Sequence, residues 1–140
     1  MRFDKRLSLF LPLLAMALLL GACKSEFLNT GEVPKSLKAR LGQFEGIVRW
    51  GALQKMYAFN KNESGEPVEI PMGLDNVRVT GYEAASGLVK VTPTRWTQTV
   101  VIDYVLTDRQ VVRQLIDQQV WVSEDEGKTW YRENPPPLFQ

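Results

Sequence analysis

The spacing of apolar and polar positions changes twice along the chain. Residues 7–20, "LSLFLPLLAMALLL", form a nearly continuous apolar run. From Lys35 to about Lys61 apolar side chains recur at helical spacing: Leu37, Leu41, Phe44 and Val48, then Trp50, Leu53 and Met56 or Tyr57. Pro34 suits a helix start, and Ser36 is placed to cap it. Gly42, Gly46 and Gly51 each weaken a helix by up to ~1 kcal/mol relative to alanine. They either let a sheet approach closely or divide the segment into two helices, and "NESGEP" at 62–67 ends it.

Beyond residue 76 the period becomes two. "VRVTGYEA" (77–84) and "LVKVTPTRWTQTVVIDYVL" (88–106) predict strands, separated by a turn at "ASG" (85–87). In the second, Trp96, Gln98, Val100, Ile102, Tyr104 and Leu106 share one face. Arg95, Thr97, Thr99 and Asp103 share the other, interrupted by Val101 and Val105. Pro93 implies a bend or an edge position. "TDRQ" (107–110) predicts a hairpin turn into "VVRQLIDQQVWVS". Gln and Leu would also suit a helix over 109–119, but β-branched pairs at both ends favour a strand. The expectation is an α+β fold: an N-terminal helix, or two, packed on a curved four-stranded antiparallel meander that buries the helix's apolar stripe. The body is expected over residues 35–134, preceded by a polar tether (23–34) and followed by a proline-rich tail (135–140).

Composition narrows the chemistry. The 140 residues fit one domain with one core, and the formal net charge is +1. Residues 1–22 hold Arg2, Lys5 and Arg6 against Asp4, which leaves 14 basic and 15 acidic side chains in the remainder. So balanced a body gives no electrostatic reason to bind nucleic acid. There is no histidine, and Cys23 is the only cysteine. That removes histidine-based nucleophilic machinery, internal disulfides and thiolate zinc sites. No metal and no cofactor is expected, and catalysis, if any, would fall to carboxylates, Lys, Tyr, Ser or Thr, the carboxylate candidates being Asp103 and Asp117. On a polar strand face such groups are more often solvated or paired with a neighbour, here Arg95 or Arg113.

The N-terminal run explains the lone cysteine. An apolar run of 14 residues after a basic start is too short to cross a ~30 Å hydrocarbon core but suits a secretory signal. Leu20, Gly21, Ala22 and Cys23 match, position by position, the lipobox of bacterial lipoproteins. The resemblance implies cleavage between Ala22 and Cys23, and lipidation of Cys23 by diacylglycerol with further acylation such as palmitate. One acyl chain partitions with a constant of only ~10⁴ M⁻¹, whereas two or three hold effectively permanently. Lys24, in place of the aspartate associated with inner-membrane retention, implies the outer membrane facing the periplasm.

Ser123, Asp125, Gly127, Thr129 and Trp130 match the Asp-box pattern Ser-X-Asp-X-Gly-X-Thr-Trp. In sialidase-type propellers the motif is a structural hairpin repeated once per blade. Here it occurs once, so the resemblance implies a hairpin and no sialidase activity. Glu124, Asp125 and Glu126 do not have the spacing of an EF-hand loop.

"VRWGALQKMYAF", "VRVTGYE", "VLTDRQVVRQLIDQQVW" and "TWYRENPPP" resemble small proteobacterial lipoproteins. Their body is similar to the nuclear transport factor 2-like, or cystatin-like, arrangement of a helix wrapped by a curved sheet. This fold hosts enzymes, binding modules and scaffolds, so it does not choose among them. The leading expectation is a non-catalytic, membrane-anchored envelope lipoprotein that binds a protein or envelope component. The alternative is a small-ligand domain whose cavity is lined by Trp50, Tyr57, Trp96, Tyr104 and Trp121. A carboxylate enzyme ranks third.

Overall fold

The structure is a computed structural model that describes residues 31–61 and 68–140. Ala22 and Cys23 lie outside the described residues, together with the apolar run and most of the tether.

Helix α1 spans Lys35–Trp50 and begins directly after Pro34, whose carbonyl accepts from the Lys38 N–H at 3.0 Å. The fixed φ of proline pre-sets this entry. Ser36 does not cap the helix; no side chain does. The helix buries Leu37, Phe44 and Val48, with Leu41 and Ile47 partly covered. It ends at Gly51, where a Cβ would lie 3.0 Å from the Ile47 carbonyl oxygen. A 3₁₀ helix, Leu53–Phe59, then buries Leu53, Met56, Tyr57 and Phe59. Gly51 therefore divides the helical segment. Gly42 and Gly46 face open space, so neither serves the close approach of a sheet.

The sheet has five antiparallel strands: β1 (Val77–Ala84), β2 (Val89–Thr92), β3 (Arg95–Leu106), β4 (Val111–Val122) and β5 (Tyr131–Arg132). The order is β1-β3-β4-β5, with β2 also paired to β3. The fold is α+β as expected, with one strand more. The difference arises in residues 88–106, which are not one bent strand. The chain reverses at Pro93–Thr94, so that Lys90 faces Trp96 and Thr92 faces Arg95. "ASG" is not a reversal. β1 and β2 lie end to end along β3, and residues 85–88 bulge opposite Gln98 and Thr99. Ser86 holds the bulge: its N–H donates to the Thr99 carbonyl (3.3 Å), and its Oγ accepts the Thr99 N–H (3.0 Å). The turn at 107–110 and the strand after it form as expected. Gln110, at φ 55°, ends the turn, and the Asn76 side chain accepts the Asp108 N–H (2.8 Å).

In β3 and β4 alternate residues point to opposite faces. The pairing sets Trp96 opposite Trp121, Gln98 opposite Gln119, Val100 opposite Asp117 and Ile102 opposite Leu115 on the core side. Phe44 from α1, Phe59 from the 3₁₀ helix and Trp121 from β4 meet edge-to-face, with centroids 5.3, 5.5 and 6.3 Å apart. Each such pair contributes about 0.5–1.5 kcal/mol beyond its buried area. The proline-rich tail belongs to this body. Pro136 is buried, and Phe139 packs edge-to-face on Tyr104 with centroids 5.0 Å apart. The Tyr104 hydroxyl donates to the Gln140 carbonyl at 2.9 Å. Val33, from the tether, also packs against the core.

Candidate functional site

The polar chemistry of the body is concentrated inside the sheet. Asp117 shares the β4 face of Trp121, so strand parity carries its carboxylate into the core. Arg132, in β5 and cross-strand from Trp121, reaches the same place and is fully buried. Its Nη1 donates to Asp117 Oδ2 at 2.9 Å, and its Nη2 donates to Oδ1. Nε donates to the Asn134 carbonyl (3.2 Å) and Nη2 also to the Pro135 carbonyl (3.1 Å). The guanidinium lies 5.3 Å from the Phe44 ring centroid. A buried arginine is tolerable only when its donors are met, and this fork matches a carboxylate on one side and two carbonyls on the other.

Gln119 completes the network. Its Nε2 donates to Asp117 Oδ2 (2.9 Å) and to the Tyr82 hydroxyl oxygen (2.9 Å). Its Oε1 accepts from Trp121 Nε1 (3.1 Å) and Gln98 Nε2 (2.9 Å). An indole nitrogen can only donate, so the amide orientation is forced and all four of its bonds are made. Burial pushes the Tyr82 phenol up to about 12, against the favourable bond from Gln119. Among the described residues, two buried side-chain atoms have no hydrogen-bond partner, Asn60 Oδ1 and Trp96 Nε1. The Asn60 amide is fixed by donating Nδ2 to the carbonyls of Arg132 (3.4 Å) and Asn134 (2.8 Å).

The two carboxylates named from the sequence, Asp117 and Asp103, both have partners. Asp117 pairs with Arg132, and neither Arg95 nor Arg113 is its partner. Asp103 accepts from Gln114, directly across the ladder, at 2.8 Å. Arg95 instead binds Glu133 with both terminal nitrogens. Among the described residues no three Asp, Glu, His or Cys side chains converge where a metal could sit.

The five aromatics expected to line a cavity fall into three different surroundings. Trp50 is 81% exposed at the helix end, its ring 5.1 Å from the Arg49 guanidinium. Trp96, Trp121 and Tyr57 belong to the packed core. Tyr104 lies under the C-terminal strap. Tyr57 does line a cleft of about 380 Å³, with Val68, Pro71, Pro135, Pro136 and Leu138.

Ser123, Asp125, Gly127, Thr129 and Trp130 make the hairpin their pattern implied. Ser123 Oγ donates to Asp125 Oδ1 (2.8 Å) and accepts the Gly127 N–H (2.8 Å), while Thr129 N–H donates to Asp125 Oδ1 (2.7 Å). Gly127 sits at φ 86°, where a Cβ would be strained. The bonds from Thr129, then that from Ser123, pull the Asp125 carboxyl down to about 2. Trp130 is buried, and its Nε1 donates to Ser36 Oγ (3.0 Å) and the Gly127 carbonyl (3.1 Å). Ser36 itself donates to that carbonyl at 2.6 Å, so the residue expected to cap α1 latches the helix to the hairpin. Arg132, Gln119, Tyr82 and Asn134 were not singled out by the sequence. The parity of Gln119 with Trp121 was the available signal.

Comparison of the chain with protein-family models, curated proteins and solved structures finds no match.

Proposed function

We propose that this chain is a non-catalytic lipoprotein of the bacterial envelope, anchored through Cys23 and presenting its α+β body as a binding module. The anchor is supported by the basic start, the 14-residue apolar run and the match of Leu20–Cys23 to the lipobox. The absence of catalysis is supported chiefly by one observation: the buried carboxylate and guanidinium neutralise each other, and the amide beside them has no bond to spare. With no histidine in the chain, this buried network offers no free acid or base poised for proton transfer.

The test is the mass of the mature N-terminus from a bacterial host, followed by recovery of envelope proteins bound to the tagged chain. Cys23 as first residue, carrying acyl chains, with a reproducible partner, is the expected result. An unmodified Cys23 still joined to Ala22 overturns the anchor. Turnover of a substrate by the purified protein overturns the binding role.

A small-ligand reading has one specific observation in its favour, the apolar cleft beside Tyr57. Its volume falls within the ~300–1,000 Å³ of typical ligand sites. Native mass spectrometry of the purified protein tests it, a co-purifying small molecule being the supporting result.

A further inference from the structure

The two edges of the sheet differ. The β1/β2 edge is interrupted by bulges at 79–81, 85–88 and 90–92 and ends at Pro93. Such irregularities, with Arg78, Glu83 and Lys90 along it, discourage another strand from pairing. The β4 edge has no bulge, and Arg113 is the one exposed charge on its stretch 111–117. Its pairing to β3 runs without a bulge from Val111 to Val122, yet β5 covers only Trp121 and Val122.

Beyond β5 the Glu133 N–H donates to the Val120 carbonyl (2.9 Å), and after that the cover is a single side chain. Asn134 Oδ1 accepts the Val120 N–H (3.0 Å) and Nδ2 donates to the Gln118 carbonyl, so one amide imitates the next rung. Because Val120 directs its backbone groups to this edge, Ile116, Gln114 and Val112 do so too. Among the described residues none of the three has a backbone partner on that side. The free stretch is therefore 111–117, bounded by the positive-φ turn residue Gln110 at one end and by Asn134 at the other.

We propose that this edge pairs antiparallel with β4 of a second copy of the chain, about a two-fold axis through Gln114. The free stretch is centred on Gln114, so this register matches all of it to itself. Gln114 faces Gln114, Val112 faces Ile116 and Ile116 faces Val112, each pair exchanging both backbone bonds. Gln110 of each copy then falls opposite Gln118 of the other, where the Asn134 side chain ends the ladder. On the outer sheet face Val112 and Ile116 are 74% and 68% exposed, and the two-fold covers each with the other. Leu115, Ile116 and Gln118 of this edge face Pro135, Pro137 and Leu138 across an open cleft of about 430 Å³. The inference does not depend on the lipid anchor.

Sedimentation of the full-length protein in density-matched detergent tests it, with Val112→Lys, Ile116→Glu and the double variant beside the parent. A Cys23→Ser chain separates self-pairing from membrane attachment. Expected are a dimer for the parent and for Cys23→Ser, and dissociation about tenfold or more easier for either single charge, which meets an apolar partner. The double variant regains the dimer, because the ammonium introduced on one copy then faces the carboxylate introduced on the other. Either single variant lacks this complement, so dimer recovery in the double variant reads out the proposed register. A monomeric parent, a dimer indifferent to these charges, or an edge that binds an unrelated extended peptide in place of a second copy overturns the proposal.

Discussion

Arg132 grips Asp117 with both terminal nitrogens, Nη1 lying 2.9 Å from Oδ2, at a point in the core from which water is shut out. Both side chains are essentially inaccessible, at 0% and 2% exposure. Such a pair is worth little against an apolar replacement, but each half is costly without the other. Arg132→Ala or Asp117→Ala should each lose about 3–5 kcal/mol of unfolding free energy. The double variant Arg132→Met/Asp117→Leu should lose far less than the two losses added together. Urea unfolding in a double-mutant cycle measures this coupling.

Gln119 ties four side chains together. Gln119→Leu strands the Trp121 indole N–H and one Asp117 lone pair, at about 1–3 kcal/mol for each group left unsatisfied. Gln119→Glu should cost more, because a second carboxyl then shares the site of Asp117. Denaturant midpoints rank the two, and an altered indole fluorescence maximum reports the change at Trp121.

Trp50 and Trp121 are equally apolar in sequence and opposite in structure. Trp50→Ala should change stability by no more than ~0.5 kcal/mol, as for an exposed position with one cation–π contact. Trp121→Ala removes a ring enclosed by Phe44 and Phe59 and should cost about 3–5 kcal/mol. Equal losses would contradict the burial described.

The pH dependence has two limbs of opposite sign. Asp125 is depressed to about 2, below an unfolded value of ~3.9, so its contribution is present above pH ~3.9 and lost as pH falls toward 2. Tyr82 is raised to about 12, above an unfolded value of ~10, so its contribution is present below pH ~10 and lost as pH rises toward 12. Thermal unfolding across pH should show Asp125→Asn flattening the acid limb and Tyr82→Phe the alkaline one. Ultraviolet titration of the phenols should lose its latest step in Tyr82→Phe.

Local signals identified the elements but misplaced the joins. The helical spacing from Lys35 and the alternation in β3 and β4 depend only on which neighbours share a face, and both are realised. "ASG" and "TPT" both carry turn residues, and nothing local says which of them reverses the chain. The decision lies with the register on β3, where Ser86 can bond twice to Thr99 and Pro93 needs no ladder partner. Ser36 illustrates the same limit. At a helix start a serine usually caps, but Trp130, 94 residues away, offers it an indole N–H instead.

By itself the sequence determined the α+β alternation, the hairpin at 123–130, the lack of histidine and the single cysteine, because each depends on residue type or short spacing. The tertiary structure decided where charge is buried. Asp117 is expected from the sequence to be solvated or paired with a strand neighbour, but β5 brings Arg132 across to it, and Arg132 and Tyr104 bind carbonyls of the proline-rich tail into the body. It also decided which edge of the sheet stays open. These outcomes follow from pairings between segments far apart in the chain, where hydrogen-bond geometry and exclusion of water choose the partner and local composition does not.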